Sequence, residues 1–286
     1  MNAISGISQE GGALRLKISL VNYLNAAPLG WSFLHGPMQN QFQISLASPA
    51  KCAEQLAKGD VDIGLIPAIE YPRINDLIAI PRVAIAATNE VRSVLLVRRP
   101  GSIRMDSVAL DTSSRTSVAL VKLLLNSRMG LQPEFVPHEP NISEMLRKHD
   151  AALLIGDAAL RCSPEEFEIV DLAAAWRDWQ GKPFVFAFWA CRAAARLPEN
   201  MVEIFVAARE WGLARIEEIA AAYSRTLELP AAFLEGYLRH NLDHDMGPEH
   251  IVGLERFYRL ALEAGMIDTL KPIRFMAEAR GGISNT

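Results

Sequence analysis

Few cysteines, no glycine-rich phosphate loop and no long hydrophobic run occur in this sequence, and each shortage removes a class of function. The three cysteines among 286 residues, Cys52, Cys162 and Cys191, are odd in number and far apart. No CxxC pair and no histidine at metal-ligand spacing accompanies them, so they read as buried thiols, not as a disulfide framework or a zinc site. Without a phosphate loop, nucleotide binding has no support. Basic residues are not in excess: 29 stand against 33 acidic ones, for a net charge of −4. Nothing draws the whole chain toward nucleic acid or an anionic membrane, and any bound anion must be held locally. No stretch reaches the about 18 uninterrupted apolar residues of a membrane span. The opening "MNAISGISQEGGALRLKIS" lacks the basic start and apolar centre of a secretory signal. The reading is therefore a soluble, cytoplasmic protein with residues 1 to about 13 loosely ordered.

What is present is globular composition, with 50% hydrophobic and 22% charged residues. Strand-like runs open at 16, 42, 61, 93, 107, 151 and 184, with helices such as Pro49 to Lys58 and Ser114 to Ser127 between them. That alternation predicts an α/β fold with mainly parallel sheets. Beyond Pro198 the apolar spacing becomes helical, so the last third is predicted α-helical. Breaks at 98–106 and 191–200 predict two crossings between lobes. The implied organisation is residues 1–99 with 190–286 as one lobe and 100–189 as an inserted second lobe. Phe184, Phe186 and Trp189 in "PFVFAFWACR" read as core, with room for one aromatic to face a ligand. Trp176 and Trp179 read as packing residues. The interspersed charges of the last helices read as solvated faces or as cover for a subunit interface.

Five junctions can carry chemistry. In "VALDTSSRTSVAL" a strand ends at Asp111 and a helix begins near Ser114, which leaves unpaired N–H groups at the positive end of the helix dipole. One hydroxyl suffices for a cap, yet Thr112, Ser113, Ser114, Thr116 and Ser117 crowd one turn beside Arg115. The surplus suits a carboxylate or phosphate; the alternative is an ordinary capped junction with solvated hydroxyls. In "SLVNYLNAAPLGW", Asn25 either caps the following helix or faces a cleft at the strand ends. "DVDIGLIPAIEYPRI" places Glu70 past a buried-type strand, Ser93 opens the strand in "NEVRSVLLV", and "LLIGDAAL" sets Gly156 and Asp157 between strand and helix. None of the six histidines falls in these motifs.

Together "NYLNAAPL", "SPAKCAEQLAKGDVDIGLIPAIEYPRI", "VRSVLLVRR", "VALDTSSRTSVAL", "LLIGDAAL" and "GKPFVFAFWACR" resemble the menaquinone-biosynthesis chorismate dehydratases of the futalosine pathway, in family order from about Leu16 to Leu270. The resemblance implies the two-lobed fold of type 2 periplasmic binding proteins, with the ligand between the lobes. It also implies conversion of chorismate to 3-[(1-carboxyvinyl)oxy]benzoate with no metal or organic cofactor. Asn25, Ser93 and Asp157 are the expected catalytic residues, and Thr112, Ser113, Ser114, Arg115, Thr116, Glu70 and Gly156 the expected substrate contacts. Within the turn, Ser114 and Thr116 are expected on the substrate, with Ser113 or Thr112 as the cap. The C3 proton goes to Asp157, to Glu70 or, as favoured here, to the substrate's own enolpyruvyl carboxylate. Competing readings are a small-carboxylate binding or sensor protein on the same fold and the sister 1,4-dihydroxy-6-naphthoate synthase, to which the motifs are less close. The expected partner is chorismate alone, without nucleic acid or membrane, in a monomer or homodimer.

Overall fold

The computed structural model describes residues 15–278; the expected loose N-terminus falls outside them. In chain order the strands are β1 (Lys17–Val21), β2 (Gln43–Ala47), β3 (Ile63–Pro67), β4 (Leu77–Ala87), β5 (Val94–Arg98), β6 (Ser107–Asp111), β7 (Glu134–His138), β8 (Ala151–Ile155), β9 (Glu168–Asp171) and β10 (Phe184–Arg192). The helices that lie among them are α1 (Ala27–His35), α2 (Pro49–Lys58), α3 (Glu70–Arg73), α4 (Arg115–Lys122), α5 (Ile142–Lys148), α6 (Gly156–Leu160) and α7 (Leu172–Gln180). Four more close the described chain: α8 (Met201–Leu213), α9 (Ile216–Leu227), α10 (Ala231–His240) and α11 (Pro248–Glu263).

The strands form two five-stranded sheets, β2-β1-β3-β10-β4 and β7-β6-β8-β5-β9. Their pairing corrects the expectation of mainly parallel sheets. β1 runs parallel to β2 and β3, and β6 parallel to β7 and β8, but β10 is antiparallel to β3 and β4 and β5 antiparallel to β8 and β9. In each sheet the one reversed strand is the first after a crossing, β5 in the second sheet and β10 in the first. The crossings themselves also move. β5 belongs to the second sheet and β10 to the first, so the sheets divide the chain at residues 88–93 and 181–183, earlier than the 99/100 and 189/190 boundaries read from the sequence. The break at Pro100 and Gly101 misled because it lies in a surface turn after β5, not between sheets.

Local chemistry explains the elements that match. At α2, Ser48 Oγ accepts from the Lys51 N–H at 3.4 Å, Pro49 occupies the first turn and Gly59 ends the helix at φ +79°. At α7, Asp171 accepts from the N–H groups of Ala173 and Ala174 at 3.0 and 3.1 Å, and the same carboxylate takes those of Val91 and Arg92 at 3.2 and 2.7 Å. One side chain thus caps a helix and pins the first crossing. β4 departs from simple strand patterning because Pro81 interrupts it; the strand lies at a sheet edge with register shifts against β10, where a missing N–H is tolerated. β7, with Pro137, is likewise an edge strand.

The core is aromatic around the return strand. Phe184 packs edge-on against Trp176 and Phe257 at 5.2 and 5.0 Å, and Trp189 against Phe205 at 4.8 Å. The cysteines are free thiols, Cys52 and Cys191 buried and Cys162 half-buried; desolvation pushes all three up to about 11. The predicted C-terminal helices cover the first sheet's lobe. Gly212 of α8 lies so near α1 that a Cβ there would sit 1.9 Å from the Pro28 carbonyl oxygen, so no other residue allows this contact.

Candidate functional site

The ends of β1, β6 and β8 meet where the two lobes touch, and each is followed by one of the polar junctions. β1 leads to Tyr23 and a short 3-10 turn, Leu24–Ala26; β6 leads to the hydroxyl-rich turn and α4; β8 leads to Gly156. Between them lies a narrow chamber of about 30 Å³. Its polar wall is made by Tyr23, Asn25, Ser114 and Ser117, and its apolar wall includes Val94, Ile155 and Phe186. Phe186 is the aromatic of β10 that faces the cleft. Outside it, sharing Tyr23, opens a vestibule of about 890 Å³ that holds Thr112, Ser113, Arg115, Arg73, Lys122 and His138. Enclosed ligand sites usually measure ~300–1,000 Å³. The inner chamber falls below that range and the vestibule within it.

Asn25 is the clearest sign of a ligand. α1 receives no side-chain cap, so the capping alternative is not realised. Instead the Asn25 Oδ1 lies buried on the chamber wall with no hydrogen-bond partner among the described residues. A buried acceptor left so costs about 1–3 kcal/mol, a cost that a ligand donor relieves. Its backbone carbonyl is held from behind by His244 Nε2 at 2.9 Å. Burial pushes that imidazole down to about 4, so it is neutral and donates.

The hydroxyl-rich turn divides its labour differently from the expectation. Ser114, not Ser113 or Thr112, caps α4: its Oγ accepts from the Ser117 N–H at 3.4 Å and the Ser117 hydroxyl at 3.0 Å. With its lone pairs so used, the Ser114 O–H remains free to donate to the chamber it lines. Ser113 gives its N–H and O–H to Asp111 Oδ1 at 3.0 and 2.5 Å, and its carbonyl accepts from the Ala50 N–H of the other lobe at 2.9 Å. Thr112 is exposed in the vestibule. Thr116 does not reach the chamber; fully buried, its Oγ1 accepts from the Ile69 N–H at 3.1 Å and ties α4 to the first lobe. The fixed 3.6-residue period turns its side chain away from the face that Ser114 and Ser117 share.

The charged candidates are committed to one another. Glu70, 5% exposed, bridges Arg73 at 2.7 Å and Arg115 at 3.0 Å, and Arg115 also meets Glu54 at 2.9 Å. Asp157 Oδ1 accepts from the Leu24 N–H of the opposite lobe at 3.0 Å, and burial raises its pKa. Neither carboxylate lines the chamber. Gly156 does, at φ +58°, with its absent Cβ position 3.0 Å from the Tyr23 ring. Ser93 is fully buried behind the wall, where its Oγ accepts from the Tyr237 O–H at 2.8 Å. Asn25, Ser114 and Gly156 are thus brought together, Thr112, Ser113 and Arg115 stand at the mouth, and Ser93, Asp157, Thr116 and Glu70 form the surrounding framework. Sequence reading missed Tyr23, although it stands inside a quoted motif. It also missed Tyr237 and His244, which no local signal marks.

Comparison with known proteins adds an independent finding. A family described as menaquinone biosynthesis matches residues 16–263. The chorismate dehydratase of Thermus thermophilus is 33% identical over 258 residues, covering 84% of this chain and 93% of that protein. The chorismate dehydratase of Campylobacter jejuni is 25% identical over 250 residues, covering 84% and 94%. Among solved structures, a protein from Archaeoglobus fulgidus superposes with a TM-score of 0.71 at 16% identity, covering 88% of this chain and 98% of that one. The periplasmic aliphatic sulphonate binding protein of Escherichia coli does so with a TM-score of 0.62 at 16% identity, covering 96% and 100%. These likenesses establish the periplasmic-binding-protein-like fold.

Proposed function

Since this chain belongs to the menaquinone-biosynthesis family, we propose that it is a chorismate dehydratase, a hydro-lyase that removes water from chorismate to give 3-[(1-carboxyvinyl)oxy]benzoate in the futalosine route. The observation that carries the reading is the convergence of the family motifs on one interlobe chamber whose Asn25 Oδ1 awaits a donor.

The chemistry requires the C3–H bond to break, its electrons to form the C3–C4 double bond, and the C4–O bond to break with protonation of the departing hydroxide. Aromatisation supplies driving force; the protein must orient the ring, stabilise charge pushed toward the ring carboxylate and assist the leaving group. Ser114, at the N-terminus of α4, offers an O–H to a carboxylate at the positive end of the helix dipole. The Asn25 carboxamide holds the C4 hydroxyl, and Phe186 and the Tyr23 ring flank the cyclohexadiene. Apart from the Tyr23 phenol, which burial pushes up, the chamber wall has no ionisable side chain among the described residues. A wall without carboxylate or imidazole supports the substrate's enolpyruvyl carboxylate as the base, because a base must stand within hydrogen-bond reach of the proton.

Incubation of the purified protein with chorismate tests this. The expected result is an aromatic product whose mass is that of chorismate less one water. Saturable binding without turnover would favour a binding or sensor protein, and a naphthoate product the sister synthase.

A further inference from the structure

One buried hydroxyl pair behind the chamber has no part in the chemistry above. Tyr237, on α10, is 3% exposed and donates to Ser93 Oγ at 2.8 Å. Ser93 stands just before β5, between the wall residues Val91 and Val94, and its carbonyl accepts from the N–H of Gly156, a third wall residue, at 2.7 Å. The hydrogen bond runs from the Tyr237 O–H to a lone pair of Ser93 Oγ. The Ser93 O–H is then left to donate elsewhere. A hydroxyl that accepts one hydrogen bond is polarised to donate a second more strongly. Burial pushes the Tyr237 phenol far above its ordinary range, so it remains a donor at any working pH.

The pair also spans the two lobes. α10 packs against α9 over the first lobe, whereas Ser93 lies at the crossing into the second. Core packing alone would be satisfied by phenylalanine at 237; the phenol oxygen is needed only for Ser93.

We propose that Tyr237 is a positioning residue for the dehydration: it fixes the Ser93 hydroxyl so that its proton is directed at the departing C4 hydroxyl when the substrate sits in the enlarged chamber. This rests on the reading of the chain as a chorismate dehydratase. Ser93 is the donor to the leaving group and Tyr237 acts through it.

The test is a double-mutant cycle on the full chain with chorismate, measuring kcat and KM for wild type, Y237F, S93A and Y237F/S93A, with melting temperatures alongside. Loss of a polarising hydrogen bond in the transition state corresponds to about a tenfold fall in kcat for Y237F, with KM unchanged. S93A falls at least as far, and the double variant is no slower than S93A. Losses that multiply, or a Y237F variant with wild-type kcat or a change confined to KM and melting temperature, overturn the proposal. If Y237F does not fold, site-specific fluorotyrosine at 237 keeps the shape while strengthening the donor; an unaltered kcat then overturns it. An inactive wild type would fail the dehydratase reading, whereas an active wild type without coupling fails only the role of Tyr237.

Discussion

Replacing Gly156 with alanine should damage both stability and turnover, and the structure allows the two causes to be separated. Gly156 sits at φ +58°, where a Cβ is disfavoured, and that Cβ would meet Tyr23 Cδ2, Cγ and Cε2 at 3.0, 3.1 and 3.3 Å. The left-handed conformation costs an alanine roughly 1–2 kcal/mol. The ring contact adds about 1 kcal/mol or more, since Tyr23 must shift by a few tenths of an ångström within a packed wall. Gly181 provides the control: its φ is +64°, yet nothing lies within 4 Å of its Cβ position. G181A should therefore show the backbone cost alone, with kcat unaltered, while G156A shows the larger loss together with about a tenfold fall in kcat from the displaced chamber wall. Denaturant midpoints and steady-state kinetics on both variants decide. Equal stability losses, or a G156A variant with wild-type kcat, would refute the placement of Tyr23 and Gly156 at the site.

Three further predictions follow from the framework residues. In D157N the amide oxygen still accepts the Leu24 N–H, so turnover should stay within about tenfold of wild type. Because burial raises the Asp157 pKa in the folded protein, wild type loses stability as pH rises through that pKa and D157N does not; complete loss of turnover with chorismate still bound would instead make Asp157 the base. In E70Q, Arg73 and Arg115 lose their shared counter-ion across the lobe contact. Both arginines are over a third exposed, so the cost should be modest, about 1–2 kcal/mol, with KM rising more than kcat falls; an unchanged KM contradicts this. His244, pushed down to about 4 against an ordinary 6.5, binds a proton in the unfolded chain first. Its contribution is complete above pH 6.5 and is lost as pH falls toward 4, a difference of about 3 kcal/mol that H244Q should lack. Parallel loss of denaturant midpoint between pH 7 and pH 4.5 in both proteins would refute it.

What could be read from the sequence was whatever local chemistry punctuates. Ser48, Pro49 and Gly59 bracket α2 because cap and stop signals act within one turn of the chain. The crowding of hydroxyls around Ser114 marked the start of α4 for the same reason. Which hydroxyl did what was not legible, because Thr116 is claimed by Ile69 across the lobe contact, 47 residues away. β4 was obscured by Pro81, which only an edge position with a register shift explains. The layer behind the chamber is still more remote: Tyr237 reaches Ser93 across 144 residues and His244 reaches Asn25 across 219. No periodicity or motif links positions so far apart; only the packed fold does.

The most direct test of the central claim is a crystal structure of the protein with its dehydration product bound. The expected result is the benzoate ring between Tyr23 and Phe186, an oxygen of the ligand within hydrogen-bond distance of Ser114, Asn25 engaged, and lobes parted enough to enlarge the inner chamber. Product held in the vestibule alone, with Asn25 Oδ1 still without a partner and the chamber closed, would contradict it.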